Sequence, residues 1–251
     1  MRVVIIGSGN VASVLGRTLK KKNHEIIQVI SRTSTHAKVL ANELSCNFSD
    51  NLADIDKNAE LYLLAVSDGA LYSLEKSFNT GNKPVLHTAG SVPKDILKNI
   101  STNYGVLYPL QSLLKDMDYP QHIPFLVDGN SQEVITLAED FAKTISATVA
   151  KANDEERLKL HVAAVTVSNF TNHLYALTEE FCEQENVDFK LLFPLIKETA
   201  SRLDNHSPAR MQTGPAVRND IYTLDKHLRI LADHPRLKYM YLKITDSIMK
   251  G

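Results

Sequence analysis

Gly7-Ser8-Gly9-Asn10-Val11-Ala12 is the first stretch of this chain with a chemical reading. It fits G-x-G-x-x-G/A and joins an apolar run over 3–6 to a segment carrying Val11, Val14, Leu15 and Leu19 at helical spacing. In that setting Gly7 permits a tight turn, Gly9 lets a pyrophosphate approach the backbone, and Ala12 lets helix and strand pack closely. Unpaired N–H groups and the positive dipole end at the helix start favour phosphate. A strand–helix turn that merely tolerates glycine is the competing reading. The second strand ends in Ile30-Ser31-Arg32-Thr33-Ser34, where NAD-binding chains place an acid on the ribose hydroxyls. Here there is none. Arg32 can pair a 2′-phosphate bidentately and Ser31 and Thr33 can donate to it, so the set predicts NADP, with a solvated loop arginine as the alternative. Ala65-Val66-Ser67-Asp68 and His87-Thr88-Ala89-Gly90-Ser91 close two further strands, and such loops line the cofactor crevice. Val66, Ser67, Asp68, His87, Thr88 and Gly90 are therefore cofactor candidates. Asp68 reads equally as a helix N-cap, and the second loop as a plain turn.

A second set falls after residue 150. At ~100° per residue, His161, Ser168 and Asn172 share one helix stripe, with Asn169 beside it. Solvent-facing stripes usually carry Lys and Glu, so His, Ser and Asn point to a cleft. His161 and Asn169 are the candidate catalytic residues. An imidazole keeps both protonation states available near neutral pH and can supply a proton to a reduced ketone or imine. A structural helix histidine is the competing reading. Gly214-Pro215 leads into Arg218-Asn219-Asp220, where Arg218 could hold a substrate carboxylate or pair with Asp220 beside a helix cap. His173, His206, His227 and His234 read as surface or core histidines.

The elements that must position these residues change period once. Strands over 3–6, 26–30, 61–66, 85–87, 106–108 and 125–127 alternate with helices over 11–22, 35–44, 70–78 and 132–145. Beyond 152 strand signal stops. Asn153 and Glu156 form a capping box for a helix running to 185, Asp188 caps a second helix that Pro194 should kink, and two more follow. The expected fold is α/β, a doubly wound, mostly parallel Rossmann sheet over 1–152, followed by an all-α substrate and dimerisation domain over 153–251.

Composition is in keeping with this. Lys plus Arg is 28 against Asp plus Glu at 29, a net charge of −1 that gives no reason to expect nucleic acid or an anionic membrane as partner. No apolar run reaches the ~18 residues of a membrane span, and the two cysteines are far apart with no metal-ligand spacing. A cytoplasmic protein without metal is expected. Exposed apolar helix at Phe181, Leu191, Leu192, Phe193 and Leu195 predicts a homodimer built by residues after 152.

The fingerprint, His87-Thr88-Ala89-Gly90-Ser91, Tyr108-Pro109-Leu110-Gln111-Ser112, Ser168-Asn169-Phe170 and Gly214 through Asp220 occur in one order. Together they resemble Rossmann-like proteins with a C-terminal helical domain of unknown function, a group labelled NADP oxidoreductases. The layout is similar to pyrroline-5-carboxylate reductase, ketopantoate reductase, the 3-hydroxyacid dehydrogenases and deazaflavin-dependent NADP oxidoreductases. The resemblance implies hydride transfer to or from a small carbonyl, imine or redox-cofactor substrate bound between the domains. It also implies Tyr108, Pro109, Gln111, Ser168, Asn172 and Arg218 on the substrate side. Two departures stand out. Tyr108 stands where that group often has His, and Lys159 is followed four residues later by Ala163, so the Lys-x-x-x-Asn pair of the dehydrogenases is absent. These departures leave open a non-catalytic NADP(H) sensor or scaffold. A methyltransferase using S-adenosylmethionine also has a glycine loop after its first strand, but Arg32 counts against it.

Overall fold

The computed structural model describes residues 1–74, 77–116 and 122–250. The chain divides into two compact units, Met1–Val165 and Thr166–Gly251.

The first unit is an eight-stranded sheet in the order β3-β2-β1-β4-β5-β6-β7-β8. The strands are β1 (Arg2–Ile6), β2 (Glu25–Ile30), β3 (Asn47–Ser49), β4 (Leu61–Leu64), β5 (Val85–His87), β6 (Tyr104–Pro109), β7 (Phe125–Gly129) and β8 (Val149–Lys151). All pairings are parallel except β6 with β7. The unbroken Val3-Val4-Ile5-Ile6 run follows from burial on both faces, since alternate residues feed separate cores. Val3 and Ile5 pack with Leu15 and Leu19 of α1 (Asn10–Lys21), Leu40 and Leu44 of α2 (Ser34–Leu44), and Phe141 further along. Val4 and Ile6 pack with Tyr62, Leu71 of α3 (Asp68–Leu74), Val92 and Leu97. α4 (Gln132–Lys143) is capped by Ser131, whose side chain accepts from the Val134 N–H. β3 and β8 escape the sequence reading because each is a three-residue edge strand with no buried residue. The helix expected over 70–78 starts earlier, at Asp68, and Glu75 and Lys76 lie outside the described residues.

α5 (Asp154–Ala164) opens on the expected capping box, with the Glu156 N–H donating to Asn153 Oδ1 and the Asn153 N–H to Glu156 Oε2. All eleven of its residues belong to the sheet-bearing unit, beyond the point where strand signal stops. A π-helical segment, Val165–Phe170, follows.

The second unit holds α6 (Thr171–Gln184), α7 (Phe193–Ser201), α8 (Ile221–Ile230) and α9 (Pro235–Lys250). Pro194 does not kink a helix. It sits in the first turn of α7, where its missing N–H costs nothing, after a 3-10 turn capped by Asp188. Asp220 caps α8 by accepting from the Thr223 N–H at 3.1 Å. His227 bonds Tyr241, and His234, buried with its edge on Phe181, pairs with Glu185 at 2.7 Å. No helix among the described residues is long and apolar enough to cross a membrane.

Candidate functional site

The strand order reverses between β1 and β4, and the loops leaving β1, β2 and β4 meet there in a groove of about 690 Å³. Open parallel sheets bind ligands at such switch points. The groove is lined by Gly7, Ser8, Gly9, Ser31, Arg32, Thr33, Val66 and Ser67. Gly7 has φ +125°, and a Cβ there would lie 2.1 Å from the Ala65 carbonyl oxygen, so only glycine fits. A Cβ at Gly9 would meet nothing within 4 Å, which leaves the helix start open to a phosphate. Ser8 Oγ donates to Ser31 Oγ at 2.7 Å and so joins the first two loops. Ala12, in the first turn of α1, is fully buried, while Val11 is half-buried and Asn10 Oδ1 accepts from the Lys115 N–H. Arg32 is exposed and has no ion pair among the described residues, so its guanidinium is available to a ligand. The sequence reading missed His36, Asp50, Asn51, Ser73 and Ser77 on the same walls. His36 lies one helical turn past Arg32 and was legible; Asp50 and Asn51 follow the edge strand β3 and were not.

A second cluster lies at the carboxyl ends of β5 and β6. Tyr108 OH is 2.9 Å from His161 Nδ1, and the rings meet edge to face with centroids 5.8 Å apart. Both rings rest on the backbone of Gly90. A Cβ there would sit 2.6 Å from His161 Nδ1 and 2.9 Å from Tyr108 Cζ, so the glycine is what lets the pair close. Burial pushes the Tyr108 phenol above its usual range, with the Arg157 charge opposing and Asp68 adding to the rise. Asp68, in the first turn of α3, accepts a hydrogen bond from Ser91 Oγ, tying the β4 loop to the β5 loop.

The rest of the predicted set is scattered. His87 is sealed in the interior at 0% exposure, so its ring shapes the loop by accepting from the Ala89 N–H at Nδ1 and does not face the groove. Desolvation, aided by the Arg157 charge, lowers its pKa to about 3. Thr88 is buried against the Leu64 carbonyl. Pro109 is buried at the end of β6, and Gln111 is exposed, its amide oxygen accepting from the Ser112 N–H. Ser168 and Asn169 lie in the π-helical segment and Asn172 in α6. The wider π turn breaks the 3.6-residue phase, so His161, Ser168 and Asn172 do not keep the common stripe that regular helical spacing predicts. Arg218 is exposed and makes no ion pair with Asp220, whose carboxylate is held by Thr223, although the Arg218 charge helps keep it ionised.

Sheet order, glycine turn and groove together define a Rossmann-type dinucleotide-binding protein. Residues 123–248 match the family described as a domain of unknown function, DUF2520, and residues 2–87 match the family described as NADP oxidoreductase, coenzyme F420-dependent. The chain belongs to the DUF2520 family, with an NADP-oxidoreductase Rossmann domain at its N-terminus. It is 35% identical to a candidate NADP oxidoreductase from Bacteroides fragilis, covering 100% of this chain and 98% of that one with a TM-score of 0.91. It is also similar to 1-pyrroline-5-carboxylate reductase from Streptococcus pyogenes, at 15% identity, 100% and 99% coverage and a TM-score of 0.68. The NADPH-bound reductive aminase from Aspergillus terreus follows at 14%, 99% and 92%, and 0.74. At such identities these last two likenesses concern the fold. The curated proteins give no match.

Proposed function

We propose that this protein is an NADP-dependent oxidoreductase that transfers hydride to or from a small carbonyl, imine or redox-cofactor substrate. The cofactor is NADP(H). The observation that carries the reading is the groove at the switch point, which Gly7–Gly9 and Ser31–Thr33 line and where Arg32 has no ion pair among the described residues. Bound there, NADPH would supply the hydride. Gly7, Ser8 and Gly9 would hold the pyrophosphate at the start of α1, and Arg32 with Ser31 and Thr33 the 2′-phosphate.

Proton supply falls to the Tyr108–His161 pair. Reduction of a C=O or C=N bond leaves an oxygen or nitrogen that needs a proton, and His161 can give it from one ring nitrogen while Tyr108 fixes the other. Tyr108 thus occupies with a hydroxyl the position where related chains often have an imidazole. Asn169, Ser168, Asn172 and Arg218 serve substrate binding, and the helical unit pairs with a second copy of the chain. Thermal-shift measurements with NADPH, NADP, NADH, NAD and S-adenosylmethionine test the reading. A rise in melting temperature with NADPH and NADP alone is expected. Stabilisation by S-adenosylmethionine but not NADPH would overturn it. Loss of NADPH absorbance with a panel of small ketones and cyclic imines then separates turnover from mere binding.

A further inference from the structure

Arg157 is 1% exposed, the largest fully buried side chain among the described residues. Its Nη2 donates to the Val92 carbonyl at 2.5 Å and to Asp154 Oδ1 at 2.7 Å. Asp154 Oδ1 also accepts from the Lys94 N–H at 3.1 Å, and Lys94 Nζ reaches Asp128 Oδ2 at 2.9 Å. Arg157 Nε and Nη1 are buried without a partner among the described residues. Burying a cation and leaving two donors unmet is costly, and an apolar side chain of similar length would avoid the cost. Stability alone therefore does not account for an arginine here.

The arrangement around it does. Asp154, Arg157 and His161 fall within ~60° of one another on α5 at ~100° per residue. They meet Lys94, Val92 and Gly90 in turn. The helix and segment 90–94 thus run antiparallel in step. Seven residues of helix rise ~10.5 Å, below the ~13 Å that four residues of chain can span at most. Among the described residues, the His161 side chain at the end of this ladder has a ring contact with Gly90 and one hydrogen bond to Tyr108. The middle rung is the buried, forked one.

We propose that Arg157 is the positioning residue of the Tyr108–His161 pair, fixing the height and rotation of α5 so that the His161 ring lands on Gly90 within hydrogen-bond reach of Tyr108. Its catalytic meaning rests on the proton-supply role given to the pair above, but its structural content does not. A guanidinium suits the task because one nitrogen can hold a carbonyl and a carboxylate at once, in a fixed plane. The contacts it bridges come from two segments, the helix and the chain after β5, so it sets their register rather than either one alone.

The test uses the full chain labelled with ¹⁵N-histidine, and reads the His161 ring nitrogens, assigned from a His161→Asn sample. In the parent protein Tyr108→Phe should move the Nδ1 signal, because it removes the hydrogen bond. Arg157→Met should move it in the same direction, with NADPH affinity changed less than threefold since the groove residues are untouched. In the double variant Tyr108→Phe should add nothing, the non-additivity expected when one residue acts through another. Arg157→Lys keeps the charge but loses the planar fork; it should resemble Arg157→Met and not the parent, and is the variant to use if Arg157→Met does not fold. A folded Arg157 variant with the parent His161 signature would overturn the proposal, as would a full Tyr108→Phe effect in its background. None of these readouts needs turnover. A protein that binds NADPH but reduces nothing would overturn the proposed reaction and leave this placement standing.

Discussion

At the scale of single residues, three side chains carry separable expectations. Arg32 lines the groove with no partner among the described residues, so Arg32→Ala should weaken NADPH by ~1.5–3 kcal/mol, the worth of a charged hydrogen bond, and leave NADH nearly unchanged. Titration calorimetry with both cofactors checks this, and equal weakening would contradict the 2′-phosphate role. His161→Gln keeps a polar side chain of similar reach on the helix but no titratable group. NADPH affinity and melting temperature should hold while turnover falls ~10²–10⁴-fold. Lost stability with turnover per folded molecule intact would mean that His161 is only structural. His87 answers a different question. The fold keeps it neutral down to about pH 3, whereas the unfolded chain takes up the proton near pH ~6.5. The unfolded state therefore binds more protons below that value, and stability is lost as pH falls through the window. From pH 7 to pH 5 this one group removes about 2 kcal/mol. Urea unfolding of the parent and His87→Gln at both pH values should show the variant losing less by about that amount; parallel losses would mean the ring is not held neutral.

At the scale of elements, the paired loops after β5 and β6 depend on the bare backbone of Gly90. Gly90→Ala puts a methyl group 2.6 Å from His161 Nδ1 and 2.9 Å from Tyr108 Cζ, and the rings must part. Overpacking of this kind costs ~1–3 kcal/mol. The expected result is a lower melting temperature and a large loss of turnover with NADPH binding retained, since Gly90 does not line the groove. A variant with parental turnover would show that the ring contact is incidental. The same residue marks how much the sequence disclosed. Its Thr-Ala-Gly-Ser setting gave the loop at a strand end, and the Rossmann alternation gave that strand its place, because hydrophobic period is a local signal. The partners of Gly90 were hidden. Tyr108 and His161 are 53 residues apart, and only the pairing of β5 with β6 and the docking of α5 bring them together. The π-helical segment was hidden for another reason: Val165–Phe170 reads as ordinary helix, and nothing in its residue types announces the wider turn. Arg157 lay in plain view at i+3 from Asp154 and four residues before His161, yet a charged residue on a helix reads first as a solvated one.

At the scale of the whole molecule, the two units differ in how much apolar surface they bury. The sheet-bearing unit has continuous cores on both faces, whereas from Thr166 onward the buried apolar side chains are Leu177, Cys182, Ala216, Leu224 and Leu231. Large apolar side chains there stay wet, among them Leu191 at 77%, Leu195 at 60%, Ile221 at 62% and Tyr222 at 83% exposed. Of the five residues read as a contact surface from sequence, Leu191, Phe193 and Leu195 are exposed, while Phe181 and Leu192 are half-buried. A self-complementary pairing of two chains uses each such patch twice. Three side chains on each of two copies, at ~1.5–3 kcal/mol apiece, give a gross gain comparable to the ~4–15 kcal/mol that association costs. On that balance α7 alone would leave little surplus for the proposed dimer, and Ile221, Tyr222 and Ile230 of α8 are exposed apolar residues that could extend its interface. Light scattering at micromolar concentration should give twice the 28.0 kDa chain mass. Leu191→Asp with Leu195→Asp should weaken the pairing enough to make the mass depend on concentration, and adding Tyr222→Asp should abolish it. A parent protein that stays at 28.0 kDa as its concentration is raised would mean that these faces remain in water or serve another partner.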